Sequence, residues 1–556
     1  MVVGCSIAWL IAAVSAQPIL ALKARRDHSR HLSHARDEDL RRPDCAGPQC
    51  LERYVQQKDD AFSWKPLDVS LHGHNRENTA NWTAQVYNVT SQRWLTEAEV
   101  DAPLWWHLLV IITPSNWGQL AENTTDWVTL ILTGGGREMR TVTESNIDVT
   151  SMGDMAMGTG TRTAVLFQLP NFPTTFANDP SNEPMGEEDM KAFGWQFVSR
   201  HPERPEFAIE MPMTKAAVKA MDAIQAATAG VARRFVLTGW SKRGLTSYLA
   251  AAVDKRVKAI MPGCHPLAIR EHRKYLDMSY DSHATYVSAP YVKWKMLDDH
   301  KDHTDGKSLL GFIDPAADIS ASDTFLSRLE NVSMFIMEAA NDDFGLVDFQ
   351  RRWMHKLKGP VTHFMLQNRR HTSAFDWNSF LPPALAYLQS VIMNQSLPRI
   401  SWTIDDVTGA ITVRQESDHV PITVKLWAAQ TCPASKLRDF RMATKYSEEV
   451  CTACGGQVDN RGICSHTYTS FRDFDLQPIK GSGGRSWRAE VQAPESGYRA
   501  GFISVYYQGT HSFAKVPHII STDVSVMPKE YPYSGECAGG EYECDERHKV
   551  LVLAQQ

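Results

Sequence analysis

Between residues 107 and 394 the chain alternates short apolar runs with longer segments of helical spacing. "HLLVIIT" (107–113), "WVTLILTGGG" (127–136) and "TAVLFQLP" (163–170) have the length and β-branched content of buried strands. "PMTKAAVKAMDAIQAATAG" (212–230) opens with a proline, carries Ala, Val, Met and Ile at helical spacing, and closes on glycine. It leads into the strand "RFVLTG", a turn at Ser241, the helix "LTSYLAAAVD" and the strand "VKAIMP" (257–262). After an interruption come "VSMFIMEAA" (332–340), a helix around 345–358, "VTHFMLQN" (361–368) and a last helix through 374–394. This rhythm predicts a doubly wound, mostly parallel α/β sheet over residues 51–396.

The interruption, 264–330, is rich in Tyr, His and Asp and reads as a cap inserted over the sheet. Tyr275, Tyr280, Tyr286 and Tyr291 in it are candidates for setting substrate choice. Its run "DDHKDHTDG" (298–306) lacks the glycine and terminal Glu spacing of a calcium loop, and a solvated loop is expected there. Lys215 and Lys219 are expected on the exposed face of their helix.

Pro398 begins a different texture. "ISWTIDDVTGAITVRQE", "PITVKLWAAQ" and "SWRAEVQAPESGYRAGFISVYYQG" alternate apolar and polar residues around turn signals. An all-β, sandwich-like module is expected over 397–530, followed by a cysteine-containing tail, 531–556.

The apolar run near the start ends in Val14-Ser15-Ala16, which reads as a signal peptide over 1–16. Residues 17–50 carry mixed charge and few large apolar groups, the composition of a disordered leader or propeptide. Export to the extracellular space is therefore expected. Sequons at Asn81, Asn88, Asn123, Asn331 and Asn394 offer glycosylation sites. A net charge of −6 over 556 residues gives no basic footprint for nucleic acid, and no apolar run is long enough to span a membrane.

Eight of the ten cysteines fall in clusters, and Cys5 lies in the expected signal peptide. In an oxidising compartment Cys45 with Cys50, and Cys537 with Cys544, would close short loops. Cys432, Cys451, Cys454 and Cys464 would pair within the β module, in any of three ways. Zinc on Cys451, Cys454, Cys464 and His466 is the rival reading, and no metal or cofactor is expected. Cys264 reads as a buried free thiol.

Chemistry concentrates around "VLTGWSKRG" (236–244), a strand that breaks into a helix at a serine between glycines. That is the form of a nucleophile elbow, although the second glycine of G-x-S-x-G comes one place late. A serine hydroxyl needs a base, and the base needs an orienting carboxylate. The loop after "VSMFIMEAA" offers Asp342, Asp343 and Asp348; the loop after "VTHFMLQN" offers His371. Ser241, Asp342 and His371 are the expected triad. The N–H of Lys242, with that of Gly135 or Gly136 in "LTGGGRE", would form the oxyanion hole.

These segments resemble the PhoPQ-activated pathogenicity-related protein family, from "LERYVQQKDDAFSW" (51–64) through "GWSKRGLTSYLAAAVDKRVKAIMP" (239–262), "ANDDF" (340–344) and "QNRRH" (367–371) to "RDFR" (438–441). The resemblance implies an α/β-hydrolase fold with a C-terminal β module, and an elbow of the form G-x-S-K-R-G. This chain departs from the family at Trp240, where a small residue is usual, and at Asn341, where glycine is. Trp240 is expected to narrow the site. Two functions are implied: a serine hydrolase acting on a small ester or a peptide, or a secreted signalling or virulence-associated protein with little catalysis. The second would meet a cell-surface receptor or another secreted protein.

Overall fold

The apolar runs form the strands of one nine-stranded sheet. In a computed structural model of the chain the described residues are 46–74, 80–119, 122–280, 289–296, 307–317, 322–371, 376–509 and 516–533. The segments expected to be a signal peptide (1–16) and a leader (17–50, as far as residue 45), with Cys45, Tyr286, the run 298–306, Cys537, Cys544 and the tail from 534, lie outside them.

The strands are β1 (Ser63–His74), β2 (Asn81–Arg93), β3 (Leu104–Pro114), β4 (Trp127–Leu132), β5 (Arg162–Leu166), β6 (Arg234–Trp240), β7 (Val257–Gly263), β8 (Ser333–Ala339) and β9 (Val361–Leu366). Their order is β1-β2-β3-β5-β4-β6-β7-β8-β9. The first pairings, through β3 with β5, are antiparallel; all later ones are parallel. This is an α/β-hydrolase fold. Every residue of β4 is buried, as expected of a strand covered on both faces. Helices Pro48–Gln56, Glu210–Ala227 and Lys242–Val253 cover one face; Ile147–Thr159 and Trp377–Ile392 cover the other.

Two elements differ from the sequence expectation. The helix around 345–358 shrinks to Gln350–Trp353 and a 3₁₀ turn, Met354–Lys356; ahead of it the Phe344 and Gly345 N–H groups donate to Asp342 Oδ1 in a capped turn that does not continue as a helix. Lys215 is buried rather than exposed: its ammonium lies 3.4 Å from Asp59, and it packs over the Tyr54 ring. Lys219 is half-buried and pairs with Asp222 at 2.9 Å.

Between β7 and β8 the described chain is helical and short-turned, with helices Ile269–Tyr280, Ala289–Lys293, Leu309–Ile313 and Phe325–Arg328. Beyond Pro398, strands Ile400–Ile404, Ala410–Gln415 and Ser486–Glu490 form one antiparallel sheet. Pro421–Gln430, Arg472–Asp475, Arg499–Tyr507, His518–Ser521 and Ser525–Met527 form a second. The two sheets share a core of Ile411, Val413, Val424, Trp487, Ile503 and Val505. Disulfides Cys432–Cys454 and Cys451–Cys464 select one of the three pairings and consume the sulfurs that a zinc site would need. Cys50 is also disulfide-bonded, and Cys264 is free and buried.

Asn81, Asn123, Asn331 and Asn394 are exposed, whereas Asn88 is half-buried on β2 between Lys65 of β1 and Leu108 of β3. No described helix is long and apolar enough to cross a membrane.

Candidate active site

The parallel strands end together, so the loops that follow them meet at one edge. Leu132 pairs with Gly239, Trp240 with Gly263, Gly263 with Met337, and Ala339 with Leu366. The glycine loop after β4, Ser241 after β6, Asp342 after β8 and His371 after β9 thus leave the sheet at its C-terminal edge, where α/β proteins bind ligands.

Ser241 caps the helix Lys242–Val253 with φ 57° and ψ −126°, a conformation costly for a residue with a Cβ. Its N–H bonds the Gly263 carbonyl at 2.8 Å, and its side chain stays partly exposed. The late glycine has a packing reason. A Cβ on Gly244 would sit 2.9 Å from the Gly263 carbonyl, and one on Gly239 would sit 2.7 Å from the Arg243 carbonyl, so the helix approaches β6 and β7 closely at both residues and each contact is met by a glycine. Arg243 can then turn aside, donating to the Leu169 carbonyl at 2.6 Å and pairing with Glu187.

Trp240 does not narrow the site. Its indole fills space that Gly263 leaves open, stacks on Phe380, and donates from Nε1 to the His371 carbonyl at 3.2 Å. The bulky residue packs into the core and holds the histidine loop.

Asp342 and His371 are in direct contact: Nδ1 lies 2.8 Å from Oδ2 and 3.0 Å from Oδ1. Asp342 Oδ1 also accepts from the N–H groups of Phe344 and Gly345 at 2.7 and 3.0 Å. Burial pushes the Asp342 carboxyl upward, but the adjacent imidazole and these donors hold it below the ordinary carboxylate range. Burial likewise pushes His371 down, and the Asp342 carboxylate more than offsets it, so the imidazole sits above its ordinary value. With Nδ1 committed to the carboxylate, Nε2 is the nitrogen left for proton transfer.

The other two carboxylates of the loop face elsewhere. Asp343 is buried against Arg370 at 3.3 Å, and burial raises its carboxyl to about 6. Asp348 is paired with Arg438 from the β module.

Gly135 has φ 109°, and the loop 133–136 follows a strand hydrogen-bonded to that of Ser241. The first N–H groups of the helix after Ser241, that of Lys242 included, have no partner within the helix.

Sequence reasoning missed the charged groups around the elbow. The Lys242 side chain is 2% exposed and lies between Glu187, at 3.2 Å, and Glu188. The Tyr291 hydroxyl in the cap donates to Glu188. Burial opposes ionisation of Glu188, but Lys242 overrides it and holds that carboxyl at about 2. The acidic run "GEEDM" at the start of helix Glu187–Arg200 was the available signal.

Cys264, Asp342 and His371 bring one ligand atom each within 4.8 Å of one another, the sole such cluster among the described residues. Burial and the neighbouring Asp342 push the Cys264 thiol well above its usual range, and it hydrogen-bonds that carboxylate. The chemistry of the cluster is that of a hydrogen-bonded dyad with a third donor.

A sequence model of the PhoPQ-activated pathogenicity-related protein family matches residues 51–441. The chain belongs to this family. Autocrine proliferation repressor protein A of Dictyostelium discoideum is 26% identical over 510 residues, covering 88% of this chain and 92% of that protein. Among solved structures, acetyl xylan esterase 1 from Thermoanaerobacterium sp. is 11% identical, with a TM-score of 0.38 over 64% of this chain and 98% of its own. The glucuronoyl esterase from Solibacter usitatus is 12% identical, also at 0.38, over 68% of this chain and 98% of its own.

Proposed function

We propose that this PhoPQ-activated pathogenicity-related protein is an exported serine hydrolase that cleaves an ester, or a peptide bond, through Ser241, His371 and Asp342. The observation that carries the reading is the bond from His371 Nδ1 to both oxygens of the buried Asp342, on loops at the sheet edge where the strained Ser241 turn ends β6.

In this mechanism Ser241 Oγ attacks the carbonyl carbon while His371 Nε2 takes the hydroxyl proton. Asp342 fixes the tautomer and stabilises the imidazolium. The oxyanion is met by the N–H of Lys242 and of Gly135 or Gly136. His371 then gives its proton to the leaving alcohol or amine, the carbonyl re-forms, and an acyl-serine remains. Water, deprotonated by His371, attacks that ester; the acid leaves and Ser241 regains its proton. Tyr275, Tyr280 and Tyr291 in the cap are the candidates for contacting the group attached to the carbonyl. The disulfides support an oxidising, extracellular location, and the exposed sequons are compatible with glycosylation there.

A second reading is favoured by the name of the Dictyostelium relative, which describes repression of proliferation. On that reading the fold serves as a secreted signal recognised by a receptor or another secreted protein, with little catalysis.

Hydrolysis of a short-chain aryl ester by purified protein separates the two. Ser241→Ala should remain folded and lose activity by a factor of order 10³ or more, and Asp342→Asn should lose nearly as much. Asp343→Asn should lose far less. Activity that survives Ser241→Ala would refute the proposed nucleophile.

A further inference from the structure

We propose that the C-terminal β module is part of the active-site scaffold, and that Asn341 and Asn368 are the positioning residues through which it holds Asp342 against His371. The proposal rests on the serine-hydrolase reading for its functional meaning and on independent contacts for its substance.

Asp342 and His371 stand on loops rather than on strands, and a dyad is only as well aligned as the loops that carry it. Asn341 immediately precedes Asp342. Its Nδ2 donates to the carbonyls of Phe440 at 2.6 Å and Thr469 at 3.1 Å, both in the β module. Asn368 stands at the start of the histidine loop with φ 56°, outside the ordinary range for a residue with a Cβ. Its Oδ1 accepts from the Phe471 N–H at 2.6 Å, and its Nδ2 donates to the Phe471 carbonyl at 2.9 Å. One stretch of the module, 440–471, therefore grips both loops from the same side. The loops are also joined to each other, by the bond from the Asn341 N–H to the Arg369 carbonyl at 3.1 Å.

The gripping stretch is itself stiffened. Cys432–Cys454 and Cys451–Cys464 close loops within or just before it, and Arg441 pairs with Asp439 at 2.8 Å in a buried site. Ala340 and Val347 from the loop that carries Asp342, and Met365 from β9, share one apolar cluster with Phe440, Phe471 and Phe502. Asn341 is also an expensive choice. Among the described residues its buried Oδ1 has no hydrogen-bond partner, a penalty of about 1–3 kcal/mol that a small apolar residue would avoid. A local rule broken beside a candidate catalytic residue is the pattern expected where positioning is the gain.

If the module aligns the dyad, loosening it must weaken the effect of Asp342 on His371. Besides Asp342, the groups facing His371 are Asp343 on the same loop and Glu188 on helix Glu187–Arg200, both of which favour the imidazolium, and two groups after β7, His265 and the protonated Cys264 thiol that hydrogen-bonds Asp342. None of these is held by Asn341 or Asn368. The test follows the His371 imidazole by NMR in full-length, histidine-labelled protein, with its signal assigned by loss in His371→Gln. Asn341→Ala, shown folded by its melting transition, should lower the His371 midpoint by about one pH unit. Its ester-hydrolysis kcat should fall roughly ten- to a hundredfold, with KM nearly unchanged. Asn368→Ala reads the same quantity from the other loop if Asn341→Ala does not fold. A midpoint that stays at the wild-type value in folded variants overturns the proposal, even if the melting temperature drops. Wild-type protein that shows no serine reactivity while the midpoint still moves would remove the hydrolase reading and leave the scaffold standing.

Discussion

Arg438 of the β module reaches Asp348 on the loop that carries Asp342, with guanidinium nitrogens 2.5 and 3.0 Å from the two carboxylate oxygens. The Arg438 side chain is 1% exposed and that of Asp348 11%, so the pair is nearly dry. Breaking such a pair leaves an uncompensated buried charge, whereas replacing both partners by apolar residues is close to neutral. Arg438→Met should lower unfolding stability by about 3–5 kcal/mol in urea titration, and Asp348→Leu with Arg438→Met should recover most of it. Equal loss in the single and double variants would show that packing, not charge, sets the cost.

The His371–Asp342 pair should mark the pH dependence of stability. The Asp342 carboxyl is depressed below its ordinary 3.8, so its contribution is present above that value and is lost as pH falls through the folded value. The His371 imidazole is raised above 6.5, so its contribution is full below that value and is lost as pH rises through the folded value. Both are complete between about pH 4 and pH 6.5. Melting curves of Asp342→Asn should differ most from wild type in that window and converge above and below it.

Much of this geometry was open to sequence reasoning, and the exceptions share a cause. The order Ser241, Asp342, His371, each after an apolar run, follows from a parallel sheet whose strands end at one edge. β1 escaped notice because it is largely exposed and has no continuous apolar run to betray it. Lys215 looked like a surface residue because Asp59, the partner that lets it be buried, lies 156 positions away. Trp240 looked like an obstruction because the space beside it depends on Gly263 of the neighbouring strand. Asn341 looked like a mere departure from the family pattern because its partners, Phe440 and Thr469, belong to the other part of the fold. Periodicity reports a segment's own burial and is silent about what meets it across the molecule.

Glu338 offers a cleaner pH test, since it stands on β8 rather than in the proposed machinery. Among the described residues its buried Oε1 has no hydrogen-bond partner. Burial, with Asp342 and Asp523 adding like charge, raises its carboxyl from 4.5 to about 8. Below pH 4.5 both folded and unfolded chains hold the proton; as pH rises towards 8 the unfolded chain loses it first, so stability falls. Glu338→Gln should therefore melt higher than wild type at pH 8 and change little at pH 4. A gain of the same size at both pH values would contradict a neutral, unsatisfied carboxyl.

The disulfides close separations of 22 and 13 residues. Each should contribute about 3 kcal/mol, so reduction should lower the melting transition markedly. Cys264 should resist a thiol reagent in folded protein and react once the chain unfolds. Rapid reaction in native protein would contradict the burial of Cys264 beside Asp342.

If the proposed mechanism holds, Ser241 is an activated nucleophile. A fluorophosphonate probe measures this without knowledge of the substrate, because it phosphonylates serine only where a base removes the proton. Folded wild-type protein should be labelled stoichiometrically on the peptide containing Ser241. Labelling should vanish in Ser241→Ala and slow by orders of magnitude in His371→Gln. Folded wild-type protein that takes no label, or takes it on another residue, would contradict the account.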